Sequence, residues 1–190
     1  GLGPFCGEVA GLLAPWRLAV PLEPILLPKL TDSGDAAARA EALDALVDSI
    51  PFERTLEIGL RTMAHCRAAS ICVPRLPGPS RVIGVSCDED ALDDAVAALG
   101  RILRQVVAVG MAGGVVLHEP DPAARELCGP LHRIAEHAGV ELQTIGVSLA
   151  AVEWQAVGSL PRDAEGITVV PRDAPAEAVL TTLERMGMAR

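Results

Sequence analysis

From Thr31 onward the apolar positions fall into helical and strand-like periods. In TDSGDAAARAEALDALVDS, residues Ala36, Ala40, Leu43, Leu46 and Val47 recur every three or four positions, which is the spacing of one helix face. Pro51 opens a second helix running toward Arg67. The β-branched runs SICVPRL and SRVIGVS, parted by PGP, predict an antiparallel hairpin. The strongest helix pattern follows. Leu92, Val96, Leu99, Leu103 and Val106 keep helical spacing, Ser86 and Glu89 form a capping box, and Asp88, Glu89 and Asp90 fall in the first turn, where the dipole favours carboxylates. GVVLHE then predicts a short buried strand. DPAARELCGPLHRIAEHAG predicts a helix with Asp121 as N-cap, Pro122 in its first turn, a kink at Pro130 and a stop at Gly139. VELQTIGVSL, AVEWQAV and GITVV read as further strands, and a last helix runs from Asp173 to Gly187.

Strands alternating with helices imply an α/β fold. The expected architecture is a mixed, largely parallel sheet flanked by helices, with right-handed crossovers and the antiparallel hairpin at one side. Residues 1–30 differ from the rest. Pro4, Pro15, Pro21, Pro24 and Pro28 interrupt apolar residues every few positions and forbid a long helix. This stretch is expected to be an extended, proline-interrupted apolar arm, and 31–190 a single α/β domain. Its side chains Leu12, Leu13, Trp16, Leu18, Leu26 and Leu27 need covering, by the domain itself or by another chain, and are candidate interface residues.

Composition changes the picture in three ways. Hydrophobic residues make up 50% of the chain and aromatic ones 2%, so the core must be aliphatic. Lys29 stands alone beside fifteen arginines, a bias of GC-rich coding that carries no mechanism. The net charge of −9 argues against nucleic acid, which demands a basic footprint. No run reaches the roughly 18 apolar residues of a membrane span, and no basic region marks a signal peptide. Five cysteines without CxxC spacing disfavour a disulfide framework and suit a reducing cytoplasm.

The candidate chemistry begins with the glycines of VVAVGMAGGVVLHEP. A phosphate loop follows a strand and enters a helix, so that free N–H groups and the dipole meet the anion. Here the order is reversed: a helix precedes and a strand follows, so Gly110 reads as a helix stop and Gly113 and Gly114 as a tight strand entry. His118 cannot begin an HExxH zinc site because position 122 is proline. His132 and His137 are five residues apart, about 140° around a helix, and cannot share a metal from one unbroken helix. A mixed site of His65, Cys66, Cys72 and Cys87 lacks paired ligand spacing. Asp88, Glu89, Asp90, Asp93 and Asp94 read as a solvated first turn rather than a cation site. Cys87 stands at a strand-to-helix turn, where a thiol pKa can fall, but its acidic neighbours oppose a thiolate.

No metal and no cofactor is therefore expected. The first expectation is a non-enzymatic protein-interaction domain that docks on another protein or on a second copy of itself. Its texture would suit an accessory domain of a larger actinobacterial assembly such as a secretion system. The alternative is a small-molecule-binding or thiol-dependent α/β enzyme, with its site at the carboxyl ends of strands near Cys87 and His118.

Overall fold

A computed structural model describes residues 18–27, 30, 34–65, 72–84, 88–110, 114–146, 150–151, 166–167, 175, 177–178 and 181–182. The described chain runs β1 (Leu18–Pro21), α1 (Glu23–Leu26), α2 (Ala36–Val47), α3 (Ile50–His65), β2 (Cys72–Pro77), α4 (Pro79–Ile83), α5 (Glu89–Ala108), β3 (Val115–His118), α6 (Pro122–Glu126), α7 (Gly129–His137) and β4 (Leu142–Ile145). Two further short strands, β5 (Ala150–Ala151) and β6 (Gly166–Ile167), pair with each other in parallel.

The fold is α/β. Strands β1 to β4 form one sheet in sequential order, and every ladder in it is parallel. When strand order advances in one direction through right-handed crossovers, the connecting helices fall on one face of the sheet. The packing agrees: α2 lies on α5, α5 on α7, and α4 on both α2 and α5. Leu76, Val115 and Leu117 point from the sheet into the same core as Leu43, Leu99, Leu103 and Leu131. The opposite face of the sheet carries Ala19, Val73, Val116 and Ile145 as a second small cluster. No described helix is long and apolar enough to cross a membrane.

α5 is the centre of the helical layer. Leu92, Val96, Leu99, Leu103 and Val106 are all buried, as their spacing predicts, and Ala91, Ala95, Ala98 and Ile102 widen the stripe because helices pack on it from both sides. Gly100 permits the close approach of α7, since a Cβ there would stand 3.1 Å from Ile134 Cδ1. The N-cap is Asp88, whose side chain accepts from Ala91 N, rather than the expected Ser86. The helix starts at Glu89, which puts Asp88 at the N-cap position.

Leu18–Pro21 of the proline-interrupted stretch pairs with Cys72–Arg75 as the edge strand, and Leu22, Leu26 and Leu30 lie in the main core. Leu12, Leu13 and Trp16 lie outside the described residues. The expected hairpin differs. SICVPRL contributes β2, but Ser80–Ile83 lie in α4, with Pro79 in its first turn and Gly84 as a left-handed terminus at φ 78°. The physical reason is remote in sequence: the Glu119 carboxylate accepts from Ser80 N and holds the helix start. Pro130 breaks its helix outright. α6 ends at Glu126, and α7 begins at Gly129 with Pro130 in its first turn, where a missing N–H costs no hydrogen bond. Asp121 caps α6 as expected, accepting from Ala123 N and Ala124 N.

Candidate functional site

In parallel α/β sheets the loops that leave the carboxyl ends of the strands are where ligands gather. Here those loops begin at Leu22 after β1, Gly78 after β2, Glu119 after β3 and Gly146 after β4. Two charged side chains fix the last three of these loops. Glu119, fully buried, accepts from Ser80 N at 2.9 Å, from the Ser80 hydroxyl, and from Asp121 N at 2.8 Å. Arg125 donates to Gly146 O at 2.9 Å, Pro120 O at 3.2 Å and Asp121 O at 3.2 Å, so one guanidinium joins the loops after β3 and β4. Gly78 must be glycine because a Cβ would stand 2.8 Å from Glu119 Cα.

Within this frame, Glu23, Arg75 and His118 converge from three consecutive strands. Glu23 opens α1 just after β1, Arg75 projects from β2 on the face away from the helices, and His118 ends β3 on that same face. Glu23 Oε1 lies 3.1 Å from Arg75 Nη2 and 3.8 Å from His118 Nδ1. The Glu23 side chain is 9% exposed. Neither of its oxygens has a well-formed hydrogen bond among the described residues, and the same holds for Arg75 Nε and His118 Nδ1. A buried polar cluster that leaves its hydrogen-bonding capacity unmet is costly to keep for stability alone, which marks it as the candidate site.

His118 is held uncharged at neutral pH. Burial pushes its pKa below the usual histidine value, with the Arg81 and Arg75 charges adding to the effect, while Glu23 and Glu119 oppose it. The contact with Glu23 is therefore between a carboxylate and a neutral imidazole. The His118 side chain is 25% exposed although Nδ1 is buried, so its exposed surface lies away from Nδ1.

The other sequence candidates fall elsewhere. Cys87 lies outside the described residues, as does Cys66. Leu18 forms part of β1, Leu26 is 1% exposed inside the core, and Leu27 is partly buried. Both α7 histidines are exposed, and His132 Nε2 stands 3.2 Å from Thr144 Oγ1. Asp88 serves as a helix cap, while Glu89, Asp90, Asp93 and Asp94 are exposed. No three His, Cys, Asp or Glu among the described residues are placed to hold a metal ion. An open groove of about 390 Å³ lies between α3 and the end of α5, lined by Glu53, Glu57, Arg61 and Gln105. Because α5 ends where β3 begins, that groove sits at the amino end of the sheet, away from the charged cluster.

Cys128 is buried, donates to Ala124 O at 3.3 Å, and has its pKa pushed up to about 12 by burial, with the Glu119 charge adding to it. Such a thiol is inert. In native protein at pH 7.5, iodoacetamide is expected to leave Cys128 unmodified while denatured protein reacts fully, as peptide mass spectrometry would read. Modification of Cys128 at the same rate in both states would overturn this assignment.

Glu23, Arg75 and Glu119 escape a motif search because they form no local pattern. Their one signal is a charge inside an apolar run: Glu23 in AVPLEPILL, Arg75 in ICVPRLP and Glu119 after GVVLH. The chain matches no protein-family model, no curated protein and no solved structure.

Proposed function

We propose that this chain is a small-molecule-binding α/β domain whose ligand sits over the carboxyl ends of β1, β2 and β3. The observation that carries the reading is the Glu23 carboxylate, buried between Arg75 and His118 with both oxygens short of hydrogen bonds among the described residues. A ligand that fits this trio offers a donor, such as a hydroxyl or ammonium group, to the carboxylate and an acceptor to the guanidinium. A small hydroxy or amino acid has both. Glu119 already ties the loops after β2 and β3, so little ordering entropy opposes binding there. The free thiol of Cys128 is in keeping with a cytoplasmic setting.

The test is a thermal-shift panel of hydroxy acids, amino acids, sugars and their phosphates. A ligand of the right class at 100 times its Kd should stabilise the wild type by about 2.7 kcal/mol. The shift should vanish in Arg75→Gln. If no member of the panel stabilises the wild type, or if Arg75→Gln responds equally, the reading fails.

One observation favours a second reading, a protein-interaction domain. Ile50 and Ile58 of α3 are 62% and 66% exposed and lie on neighbouring parts of one helix face. An interface there would be lost in Ile58→Asp, whereas ligand stabilisation would persist.

A further inference from the structure

We propose that Glu23 and His118 form an acid–base dyad in which Glu23 holds the imidazole by Nδ1 and leaves Nε2 as the base that takes a proton from the bound ligand. The proposal rests on the ligand reading above and adds a reaction to it. Two observations and one rule of imidazole chemistry converge. Nδ1 is buried without a hydrogen-bond partner among the described residues, and Glu23 Oε1 stands 3.8 Å from it. The ring is neutral at neutral pH, so one nitrogen carries a hydrogen and the other a free lone pair. The partner of one nitrogen decides which: a carboxylate facing Nδ1 selects the Nδ1–H form and leaves the lone pair on Nε2. The 3.8 Å separation is longer than a formed hydrogen bond, as base-to-carboxylate contacts often are before a ligand closes the site.

The charges that act on His118 are Arg75 on β2, Arg81 on α4, Glu23 on α1, and Glu119, the next residue along the chain. They supply both parts of a proton transfer. An O–H bond of the ligand breaks, its proton passes to Nε2, and the electron pair stays on the ligand oxygen. Arg75 offsets the charge on that oxygen, and Glu23 offsets the charge on the imidazolium. His118 is the catalytic residue in this scheme and Glu23 a positioning residue. The step is proton abstraction from a hydroxyl-bearing ligand, balanced by protonation of Nε2.

The experiment is histidine-selective ¹⁵N–¹H correlation NMR on the ligand-free, full-length protein at pH 7.5, with His118 assigned from His118→Gln. The wild type should show His118 as the Nδ1–H tautomer with Nε2 unprotonated. A spectrum dominated by the Nε2–H form overturns the proposal, and this measurement needs no perturbed variant. In Glu23→Ala the population should move toward Nε2–H, and the His118 pKa should fall further because an attractive negative charge is gone. An unchanged tautomer and pKa in that variant also overturns it. The two readings separate cleanly. An Nδ1–H tautomer with a silent ligand panel removes the ligand reading and the proton transfer with it, whereas a binding ligand with an Nε2–H tautomer removes the dyad alone.

Discussion

Glu119→Ala is expected to lower the unfolding free energy by about 4 kcal/mol, the largest effect of any single polar substitution in the described chain. The carboxylate is fully buried and accepts three hydrogen bonds, two from Ser80 and one from Asp121 N. Hydrogen bonds to a charged acceptor contribute roughly 1.5–3 kcal/mol each, but they are not additive here because alanine leaves room for water to reach the freed N–H groups. Loss of the carboxylate also releases the start of α4, whose own N-cap residue, Gly78, has no side chain to offer. Glu119→Gln keeps the shape yet turns an NH₂ group against an N–H donor, so it should recover about 1 kcal/mol at most. Urea unfolding followed by circular dichroism measures both. A loss below about 1 kcal/mol for Glu119→Ala would show that the clamp is not what holds these loops.

The second large effect is expected at Gly114, with Gly110 as its control. Both have left-handed backbones, at φ 83° and φ 75°. Alanine at either position meets the cost of an L side chain in that region, about 1–2 kcal/mol, partly offset by a less flexible unfolded chain. They differ in surroundings. A Cβ at Gly110 would meet nothing within 4 Å, whereas one at Gly114 would stand 2.8 Å from Glu141 O, a backbone atom that cannot move aside. Val115 N is bonded to that same carbonyl at 2.8 Å, so relief of the clash would strain the start of the β3–β4 ladder. Gly110→Ala should therefore cost about 1 kcal/mol and Gly114→Ala about 3 kcal/mol. Equal losses would mean that backbone conformation alone, and not the close approach of β4, explains the second glycine.

These two glycines also show how far local reasoning reaches. Gly110 was legible as a helix stop, and Gly114 as a tight strand entry, from the order of the apolar stretches around them, and that order excluded a phosphate cradle. The buried stripe of α5 was legible because one period governs the whole helix. Asp121 and Gly139 were legible as cap and stop because such devices act within a few residues. The shift of the α5 cap from Ser86 to Asp88 is a local miss: two residues of nearly equal capping power compete, and the start of the helix chooses between them.

The hairpin failed for a different reason. Ser80–Ile83 have β-branched character, but Pro79 presets a helical start and Glu119, thirty-nine residues away, completes it. No window of the sequence contains both partners. The same is true of the candidate site. His118 could be named as a weak candidate from its place at a strand end, while Glu23 looked like one charge in an apolar, proline-interrupted stretch and Arg75 like one charge in a strand.

By itself, then, the sequence determined what depends on neighbours along the chain: helix faces, caps, glycine stops, the aliphatic character of the core and the α/β alternation. Only the tertiary structure decided the all-parallel order of β1 to β4, the entry of Leu18–Pro21 into the sheet, and the meeting of Glu23, Arg75 and His118. Strand order is chosen by which faces bury together over the whole chain. A site assembled from three strand ends exists only after that choice is made.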